Sequence, residues 1–520
     1  MSPETIQRNG AVWTTVALFT LIAAIYLAFP TKNYYWDGIA FAQAIEGAPQ
    51  IHQSLVHPNH LIYNLVGYIF YRGLQFVGFN LRAVTALQIL NSLCGALTAV
   101  LLFRVLKEGL RSIYLAITLT FLFAFSATWW KYSTDANAYI PCILFLLLSF
   151  YFVLPRRKPK SVLVALIYAL SLCLHQMALI FFPVLLVAIF FQNETLTRKR
   201  RVINCVAFSV IAGGLTLGAY VYSFYLLTGG VQLENFLRWT LSYAPDDSFG
   251  FRPWINIGFT LRGHNRLFFG GRFNAISGLI NPLIVLLMAV WVGLFLTLAV
   301  KVIRSIRNPG WAWLRAIRED SHRRKLAKLC LFWTASYLVI LYIYVAHHTY
   351  YRLFYLPALI ILLGLMLDSY QQVSSSSRKY RLATFVALFT ITNFLMVIFP
   401  YTHVQKYPPL AFALEMNQAW PRHTIIYYGS ANSDNNLVKY FNQGTNWKEL
   451  DLEQAEQLEQ DLRSAQAAGV NTWLETSAID QLASSPTGSD WLKQHVKPGS
   501  QRALITKAHN IRFVQVGPAA

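Results

Sequence analysis

The chain has 520 residues, of which 55% are hydrophobic and only 13% are charged, and its mean hydropathy is +0.40. Soluble domains carry roughly 25% charged residues, so this composition excludes an ordinary soluble protein and predicts one that crosses the lipid bilayer. The net charge of +21 does not indicate nucleic acid as a partner, because Lys and Arg lie mostly in short runs between apolar stretches, where they set membrane topology.

Eleven apolar runs follow one another along the chain. They span residues 11–29, 83–103, 113–129, 139–154, 162–174, 177–191, 202–227, 279–300, 326–345, 351–367 and 382–401. Backbone groups in hydrocarbon must be hydrogen-bonded within their own segment, so we interpret each run as a transmembrane helix. No small-x-small cleavage site follows the first run, which favours an uncleaved signal anchor. All five cysteines lie in apolar runs without metal-ligand spacing, so neither a disulfide framework nor a metal site is expected from them.

Clusters of Lys and Arg predict the orientation of these helices. They occur at 104–111, 156–160, 198–201, 301–325 and 378–381. The positive-inside rule places all five in the cytoplasm, with the N-terminus inside and the C-terminus outside. Residues 162–191 could instead form a single tilted span, but that would invert every later loop, so the charge bias favours two short helices that turn at His175 and Gln176.

Three segments then face outward together, namely 30–82, 130–138 and 228–278, and we expect them to build one site. Residues 61–77 are apolar, but the alternation of sides forbids them from spanning the bilayer. We therefore interpret them as helix lying at the membrane interface.

The composition changes after residue 401. Residues 402–520 carry 10 Lys plus Arg and 11 Asp plus Glu, against 34 and 12 in residues 1–401. Hydrophobic periodicity predicts strands at 424–428 and 470–475, an amphipathic helix at 447–468, and a hairpin formed by 502–507 and 511–516. The chain is thus predicted to be an all-α polytopic membrane protein of about eleven transmembrane helices, with a small C-terminal extracytoplasmic α/β domain.

Acidic side chains avoid the middle of every predicted span. This distribution argues against an ion-coupled transporter and favours an enzyme that works at the outer surface. Asp37, in Tyr34-Tyr35-Trp36-Asp37-Gly38, is the candidate general base, because it follows the first span directly, where a carboxylate held by the fold can still meet a water-borne substrate. The alternative is that Asp37 caps a helix over 39–45.

His57 and His60 follow in the same outward segment, and they share one helical face with Asn64 if a helix begins near Pro58. They could bind phosphate or a metal ion. Two histidines without a matched carboxylate are a weak metal signal, so interfacial hydrogen bonding is the favoured alternative.

A lipid phosphate needs cationic partners, and the guanidinium group of arginine binds phosphate in a bidentate manner. Outward arginines are Arg72, Arg82, Arg238, Arg252, Arg262, Arg266, Arg272 and Arg352. Arg262 and Arg266 lie in one short stretch beside a span, and Arg352 ends a turn of polar and aromatic residues at 347–352. The alternative for each is simple contact with lipid head groups.

Four short stretches of sequence are informative together because of the order in which they occur along the chain. They are Trp36-Asp37-Gly38 with His57-Pro58 and Leu61-Ile62-Tyr63; Thr128-Trp129-Trp130 with Asn137-Ala138-Tyr139; Leu174-His175-Gln176 with Phe182-Pro183; and residues 427–441. With them the chain resembles the GT-C superfamily of membrane glycosyltransferases that use polyprenyl-phosphate sugars. It looks closest to the group catalogued as domain of unknown function 2723, which includes protein O-mannosyltransferase-like enzymes.

This resemblance implies a catalytic role for Asp37 and an inverting reaction. The family tends to place a second acid soon after the first Asp and Gly, where this chain has Ile39 and Ala40. A Glu commonly precedes the Tyr of the second loop by two positions, where this chain has Asn137. Asp135, two residues earlier, is the candidate substitute.

The leading hypothesis is a glycosyltransferase of the plasma membrane, by default a bacterial inner membrane, that moves a sugar from a polyprenyl-phosphate donor to a hydroxyl of a glycan or protein acceptor. The candidate catalytic residues are Asp37 and Asp135, and the candidate donor-phosphate ligands are Arg352, Arg262, Arg266, His57, His60 and His175. The sequence establishes no cofactor, and a divalent metal is left open. The alternatives are a lipid-linked saccharide flippase, a polysaccharide ligase or polymerase, and a non-catalytic scaffold; the inverted repeat typical of transporters is not found.

Overall fold

The computed structural model describes residues 3–155, 160–192, 196–242, 252–270, 282–307, 317–371, 377–421, 423–429, 435–442, 444–450, 455–484, 486–505 and 510–517. The chain forms two compact units. One contains Met1–Thr31 and Ala44–Pro400, and the other contains Lys32–Gln43 and Tyr401–Ala520. The first unit is built of helices, and the second carries a five-stranded sheet.

Helices account for nearly all regular structure before residue 401. They are α1 (Pro3–Ala28), α2 (Trp36–Gly47), α3 (Tyr63–Phe76), α4 (Ala83–Gly109), α5 (Ile113–Ala124), α6 (Ala127–Ser133), α7 (Tyr139–Phe152), α8 (Ser161–Leu174), α9 (Phe182–Gln192), α10 (Arg198–Thr228), α11 (Leu233–Leu241), α12 (Pro253–Phe269), α13 (Pro282–Arg307), α14 (Ser321–Ile343), α15 (Leu356–Gln371) and α16 (Ser377–Asn393). Short 3₁₀ turns occupy Gln53–Leu55, Pro58–His60, Gln176–Phe181 and Tyr350–Phe354, and a π-helical turn, Phe394–Ile398, follows α16.

Each of the eleven predicted apolar runs contains helix, as backbone hydrogen bonding in hydrocarbon requires. Within the described ranges, four helices are long and apolar enough to cross a bilayer: Ala83–Gly109, Arg198–Thr228, Ser321–Ile343 and Tyr380–Tyr401. The run 113–129 is not straight, because Ser126 adopts extended dihedrals and α5 and α6 meet at 68°. The prediction of a helical membrane fold is therefore confirmed, whereas the number of eleven spans and their orientation stay predictions.

Amide side chains bond backbone carbonyls where the helices of the first unit are interrupted. The NH₂ group of Gln88 donates to the carbonyls of Thr31 and Thr134 at 2.7 and 3.0 Å, and that of Asn91 donates to the carbonyls of Asp135 and Asn137 at 2.7 Å each. The NH₂ group of Gln176 donates to the carbonyls of Pro58 and Thr240 at 3.1 and 3.0 Å. That of Asn393 donates to the carbonyls of Phe125 and Phe268 at 2.8 and 2.7 Å. Seven of these eight carbonyls belong to the segments 30–82, 130–138 and 228–278. The hydrogen bonds thus join segments that the sequence predicts on one side of the membrane.

A buried ion pair joins segments predicted on the opposite side. Arg323 pairs with Asp368, and each side chain is 3% exposed. The Asp368 carboxylate also accepts hydrogen bonds from the backbone N–H groups of Arg111 and Ser112, both at 3.2 Å. Asp320, which caps α14, lies 3.5 Å from Arg323 and adds a second negative charge. This network ties the α4–α5 turn to α14 and α15.

The second unit contains α17 (Pro408–Ala419), β1 (Ile425–Tyr428), α18 (Asn435–Phe441), β2 (Asn446–Glu449), α19 (Ala455–Ala467), β3 (Thr472–Glu475), α20 (Thr476–Ala483), α21 (Pro486–His495), β4 (Val496–Ile505) and β5 (Asn510–Val516). The sheet order is β2-β1-β3-β5-β4. Strand β1 is parallel to β2 and β3, whereas β5 is antiparallel to β3 and β4. The predicted strands at 424–428 and 470–475 and the predicted hairpin are confirmed.

The predicted helix at 447–468 is wrong in its first part. Trp447 lies in strand β2 opposite Ile426, and its side chain is buried. The amphipathic helix begins only at Ala455. Trp447 joins the sheet because its partner strand β1, twenty residues earlier, offers an open row of backbone hydrogen-bonding groups, and a local periodicity cannot register that partner.

Residues 32–43 belong to the second unit although they follow α1 directly. The backbone N–H of Lys32 donates to the carbonyl of Tyr401 at 2.6 Å. The ring of Tyr34 stacks on that of Phe441, with 5.9 Å between the centroids. These contacts anchor the segment that carries Asp37.

Replacing Asp368 by Asn should destabilise the protein strongly. The substitution leaves the buried Arg323 guanidinium without its nearest carboxylate, which typically costs about 3–5 kcal/mol. Thermal unfolding of the detergent-solubilised chain measures the effect. The matched control is Glu234→Gln, which breaks an exposed i, i+4 pair with Arg238 and should cost less than about 1 kcal/mol. Equal melting temperatures for the two variants would contradict the role given to Asp368.

Candidate functional site

Three of the predicted histidines meet in the first unit. The rings of His57 and His60 are stacked with centroids 5.3 Å apart, and the ring of His175 meets His60 edge-on at 4.6 Å. His57 precedes the 3₁₀ turn Pro58–His60, and its Nδ1 accepts a hydrogen bond from the Asn59 N–H at 3.3 Å. His175 does the same before the turn Gln176–Phe181, where its Nδ1 accepts from the Met177 N–H at 3.0 Å. Both histidines are therefore placed by the capping of a 3₁₀ turn.

Tyrosine rings extend this group of histidines. Tyr139 lies 4.8 Å from His175 and 5.2 Å from Tyr350, measured between ring centroids, and Tyr351 lies 6.1 Å from His175. We call these six residues the His/Tyr cluster: His57, His60, Tyr139, His175, Tyr350 and Tyr351. Its members come from four separate parts of the chain, including the second and third stretches of the sequence resemblance.

Burial keeps the imidazoles of the cluster neutral near pH 7. It lowers the pKa of His57 to about 4 and that of His175 to about 3. The pKa of His60 lies well below its usual range, because of burial first and then because protonated His175 and His57 would repel its charge. Since Nδ1 of His175 accepts a hydrogen bond, its proton resides on Nε2. That buried Nε2 has no hydrogen-bond partner within the described residues, so its N–H group is an unsatisfied donor.

The histidines do not form a metal site in the part of the chain that the structure describes. No three His, Cys, Asp or Glu side chains converge there with metal-binding geometry. The neutral rings can donate hydrogen bonds to a phosphate but supply no positive charge to it.

Arg352 is a deeply buried cation with 1% of its surface exposed. Its Nη1 donates to the carbonyl of His348 at 2.5 Å and its Nη2 to that of Ala346 at 2.8 Å. Within the described residues its Nε has no hydrogen-bond partner, and no carboxylate lies within ion-pair distance of the guanidinium. A buried charge without a counter-ion is costly, so an anionic ligand would stabilise this arrangement.

Gly263 allows Arg352 to occupy this position. A Cβ atom at residue 263 would lie 2.3 Å from the guanidinium carbon of Arg352, closer than any side chain permits. Arg262 and Arg266 flank this glycine on α12, one exposed and the other partly buried. The carbonyl of Arg266 accepts a hydrogen bond from the Thr128 hydroxyl at 2.9 Å, which fastens α12 to α6. Sequence reasoning singled out the two arginines of this short basic stretch but missed the glycine between them, which makes room for Arg352.

Asp37 lies in the second unit, at the second residue of α2. The helix begins at Trp36, so Asp37 lies in its first turn, and the alternative that it caps this helix stays a prediction. Burial raises the pKa of Asp37, and a hydrogen bond from Tyr35 acts in the opposite direction. Within the described residues its carboxylate forms no ion pair.

Asp135 is fully buried and serves a local ion pair. Its carboxylate lies 2.5 Å from the Nζ of Lys131 and accepts the Ala136 N–H at 2.9 Å. A general base must reach the acceptor hydroxyl, and 0% of this residue is exposed. The geometry favours a structural role, in which Asp135 holds the turn after α6.

An apolar groove of about 770 Å³ opens beside the His/Tyr cluster. One wall consists of residues of α14 at helical spacing: Phe332, Ala335, Ser336, Val339 and Ile340. Met177, Leu179, Ile180 and Pro183 form the facing wall, and His175, Gln176, Tyr351 and Asn59 supply polar atoms. Sequence reasoning missed this groove, although the small residues Ala335 and Ser336 in an otherwise bulky apolar helix are a usable signal.

Comparison with known proteins finds similarity in structure but not in sequence. The sequence matches no protein-family model and no curated protein. ArnT from Cupriavidus metallidurans bound to undecaprenyl phosphate has a similar structure, with a TM-score of 0.58 and 11% identity over 97% of this chain and 98% of that chain. The apo structure of the same protein gives a TM-score of 0.57 and 13% identity over 98% of each chain. The chain therefore has the fold of ArnT over almost its whole length.

Acidification should destabilise the folded protein through the His/Tyr cluster. Below pH 6.5 an unfolded histidine takes up a proton, whereas buried His57 does so only near pH 4, so the unfolded state binds more protons in this window and stability falls as pH falls. His57→Gln, which keeps a hydrogen-bond acceptor, should flatten the dependence of the melting temperature on pH between about 6.5 and 4. His52→Gln is the control, because His52 caps the preceding turn in the same way but is exposed. An unchanged slope in His57→Gln would contradict the assignment.

Proposed function

We propose that this chain is an integral membrane glycosyltransferase that moves a sugar from a polyprenyl-phosphate donor to an acceptor hydroxyl at the extracytoplasmic face. The observation that carries the proposal is the likeness of fold, over almost the whole of both chains, to ArnT crystallised with undecaprenyl phosphate. The sequence resemblance to the GT-C superfamily points in the same direction from independent features. A bacterial inner membrane is the proposed location.

The groove is suited to the isoprenoid chain of such a donor. Its walls are apolar, and its volume of about 770 Å³ lies within the range of lipid- and drug-sized pockets. Leu179 and Val339 are largely exposed although they belong to apolar segments. A lipid could therefore enter the groove sideways from the bilayer.

The donor phosphate would be held by a cation and a neutral donor together. Arg352 supplies a buried guanidinium with no carboxylate partner within the described residues, and His175 supplies an Nε2–H group that lacks a partner there. Arg262 and Arg266 are further cationic candidates on α12. Charge-assisted hydrogen bonds of this kind would stabilise the phosphate more as it departs with the second negative charge.

Asp37 is the proposed general base. Its carboxylate takes the proton of the acceptor hydroxyl while the acceptor oxygen bonds to the anomeric carbon and the bond from that carbon to the phosphate oxygen breaks. The products are the glycosylated acceptor and polyprenyl phosphate, with inversion at the anomeric carbon. A raised pKa makes the carboxylate a stronger base than an ordinary Asp. Asp135 is left out of the reaction because of its burial.

Asp37→Asn should lower transfer by about 10²- to 10⁴-fold, because the amide cannot accept the proton. Wild-type transfer should also fall as pH drops through the raised pKa of Asp37. Purified protein with a panel of labelled polyprenyl-phosphate sugars measures both effects. Glu234→Gln, an exposed carboxylate in segment 228–278, is the control and should leave transfer unchanged. Equal rates in Asp37→Asn and wild type would remove Asp37 as the base, and no turnover of any donor would favour a flippase or scaffold.

Ala335→Trp should fill the groove and weaken the use of long-chain donors. Each methylene that loses its apolar contact costs about 0.8 kcal/mol, so kcat/KM for a long-chain donor should fall about 10- to 100-fold. A donor analogue with a very short isoprenoid chain should be affected much less. Leu217→Trp, at an exposed apolar position of α10, is the matched control. Equal losses with long and short donors would show that the groove does not hold the chain.

A further inference from the structure

Two more cavities flank the first turns of α14. One has a volume of about 330 Å³ and apolar walls that include Val153, Val187, Phe191 and Leu329. The other measures about 850 Å³, and its walls include Leu331, Leu362, Leu363 and Met366. Both cavities are lined by Arg324 and Lys328. Lys328 precedes Phe332, the first residue of α14 that lines the groove, by four residues, or about 6 Å of helix.

Arg324 and Lys328 form a pair of neighbouring charges. They are one helical turn apart, at i and i+4, and both are exposed. The guanidinium of Arg324 donates to the carbonyl of Arg318 at 3.1 Å, and neither charge has a carboxylate within ion-pair distance in the part of the chain that the structure describes. Two like charges at this spacing repel each other, so the pair favours an anion.

Two of the acids near this pair are engaged by another cation. Asp320 and Asp368 are engaged by the buried Arg323. Glu319 is exposed and forms no ion pair within the described residues. Lys325, which lines the smaller cavity, adds a further positive charge. The surface around α14 therefore stays positive after its own acids are counted.

The position of the charges along the helix suits a lipid head group. Lys328 is the third residue of the predicted span 326–345, so it is expected at the depth where head groups meet acyl chains. The apolar walls continue beyond it toward the bilayer centre. The same segment carries the basic cluster that the positive-inside rule assigns to the cytoplasm.

We propose that Arg324 and Lys328 bind the phosphate of an anionic glycerophospholipid of the cytoplasmic leaflet, whose acyl chains lie along the apolar walls of the two cavities. Charge complementarity selects this ligand, because a zwitterionic lipid brings its own cation to the site and an uncharged lipid satisfies neither side chain. The bound lipid fills the space on both sides of α14. It thereby stabilises the end of the helix where the Arg323–Asp368 pair is buried.

The test uses the full chain in nanodiscs made of phosphatidylcholine alone or mixed with phosphatidylglycerol. Retained lipid, measured by native mass spectrometry, should show a preference for phosphatidylglycerol of about tenfold or more, since each basic residue near the surface contributes about fivefold. Phosphatidylglycerol should also raise the melting temperature. R324Q/K328Q should lose both effects, whereas the charge-conserving R324K/K328R should keep them.

The matched control is K199Q/R200Q, which removes the same charge from exposed residues at the start of α10 that line neither cavity. It should retain the lipid preference. Because all four substituted positions are exposed, every variant should melt like wild type in phosphatidylcholine alone, and this measurement separates lost binding from misfolding. The proposal is overturned if R324Q/K328Q keeps the preference, if K199Q/R200Q loses it equally, or if polyprenyl phosphate displaces phosphatidylglycerol from this site at equal concentration.

Discussion

Every interruption of a helix in an apolar environment leaves backbone carbonyls that must find a donor, and the first unit depends on how this requirement is met. Gln88, Asn91, Gln176 and Asn393 each place one amide group between two carbonyls, which come from different segments for all of them except Asn91. An amide group carries two donors, so one side chain can satisfy both carbonyls and hold their segments together. The breaks in the helices are thus connected by polar cross-links.

The candidate site is formed by residues that lie where the helices are interrupted. His175 stands where the chain leaves α8, His57 lies between two 3₁₀ turns, and each caps the 3₁₀ turn that follows it. The cap uses Nδ1 and leaves Nε2 as a donor, which fixes the tautomer of each ring. Burial keeps the rings uncharged, so the cluster is polar without being cationic. The positive charge available to an anion comes from Arg352, which closes against α12 only because residue 263 is glycine.

The two buried arginines of the first unit, Arg352 and Arg323, differ in their partners. Arg352 is buried and has no carboxylate partner within the described residues. Arg323 is buried against two carboxylates, those of Asp320 and Asp368. The first arrangement is incomplete without a ligand, and the second is complete by itself. Arg324 and Lys328, beside the second arrangement, are exposed and unneutralised. The same residue types are thus placed for folding, for the proposed ligand binding and for the proposed lipid contact according to their burial and partners.

The sequence by itself determined that the protein is a helical membrane protein with an α/β part after residue 401, because apolar runs and a change of charge balance are local properties that need no partner. It also singled out Asp37, His57, His60, His175 and Arg352 as candidates. Only the tertiary structure brought His57, His175 and Tyr139 together, since they are separated by up to 118 positions in the chain. Only the tertiary structure buried Asp135 against Lys131 and put Trp447 in a strand. Periodicity reports which face of an element is apolar, but it does not report which neighbour covers that face, and the neighbour decides burial, pairing and pKa.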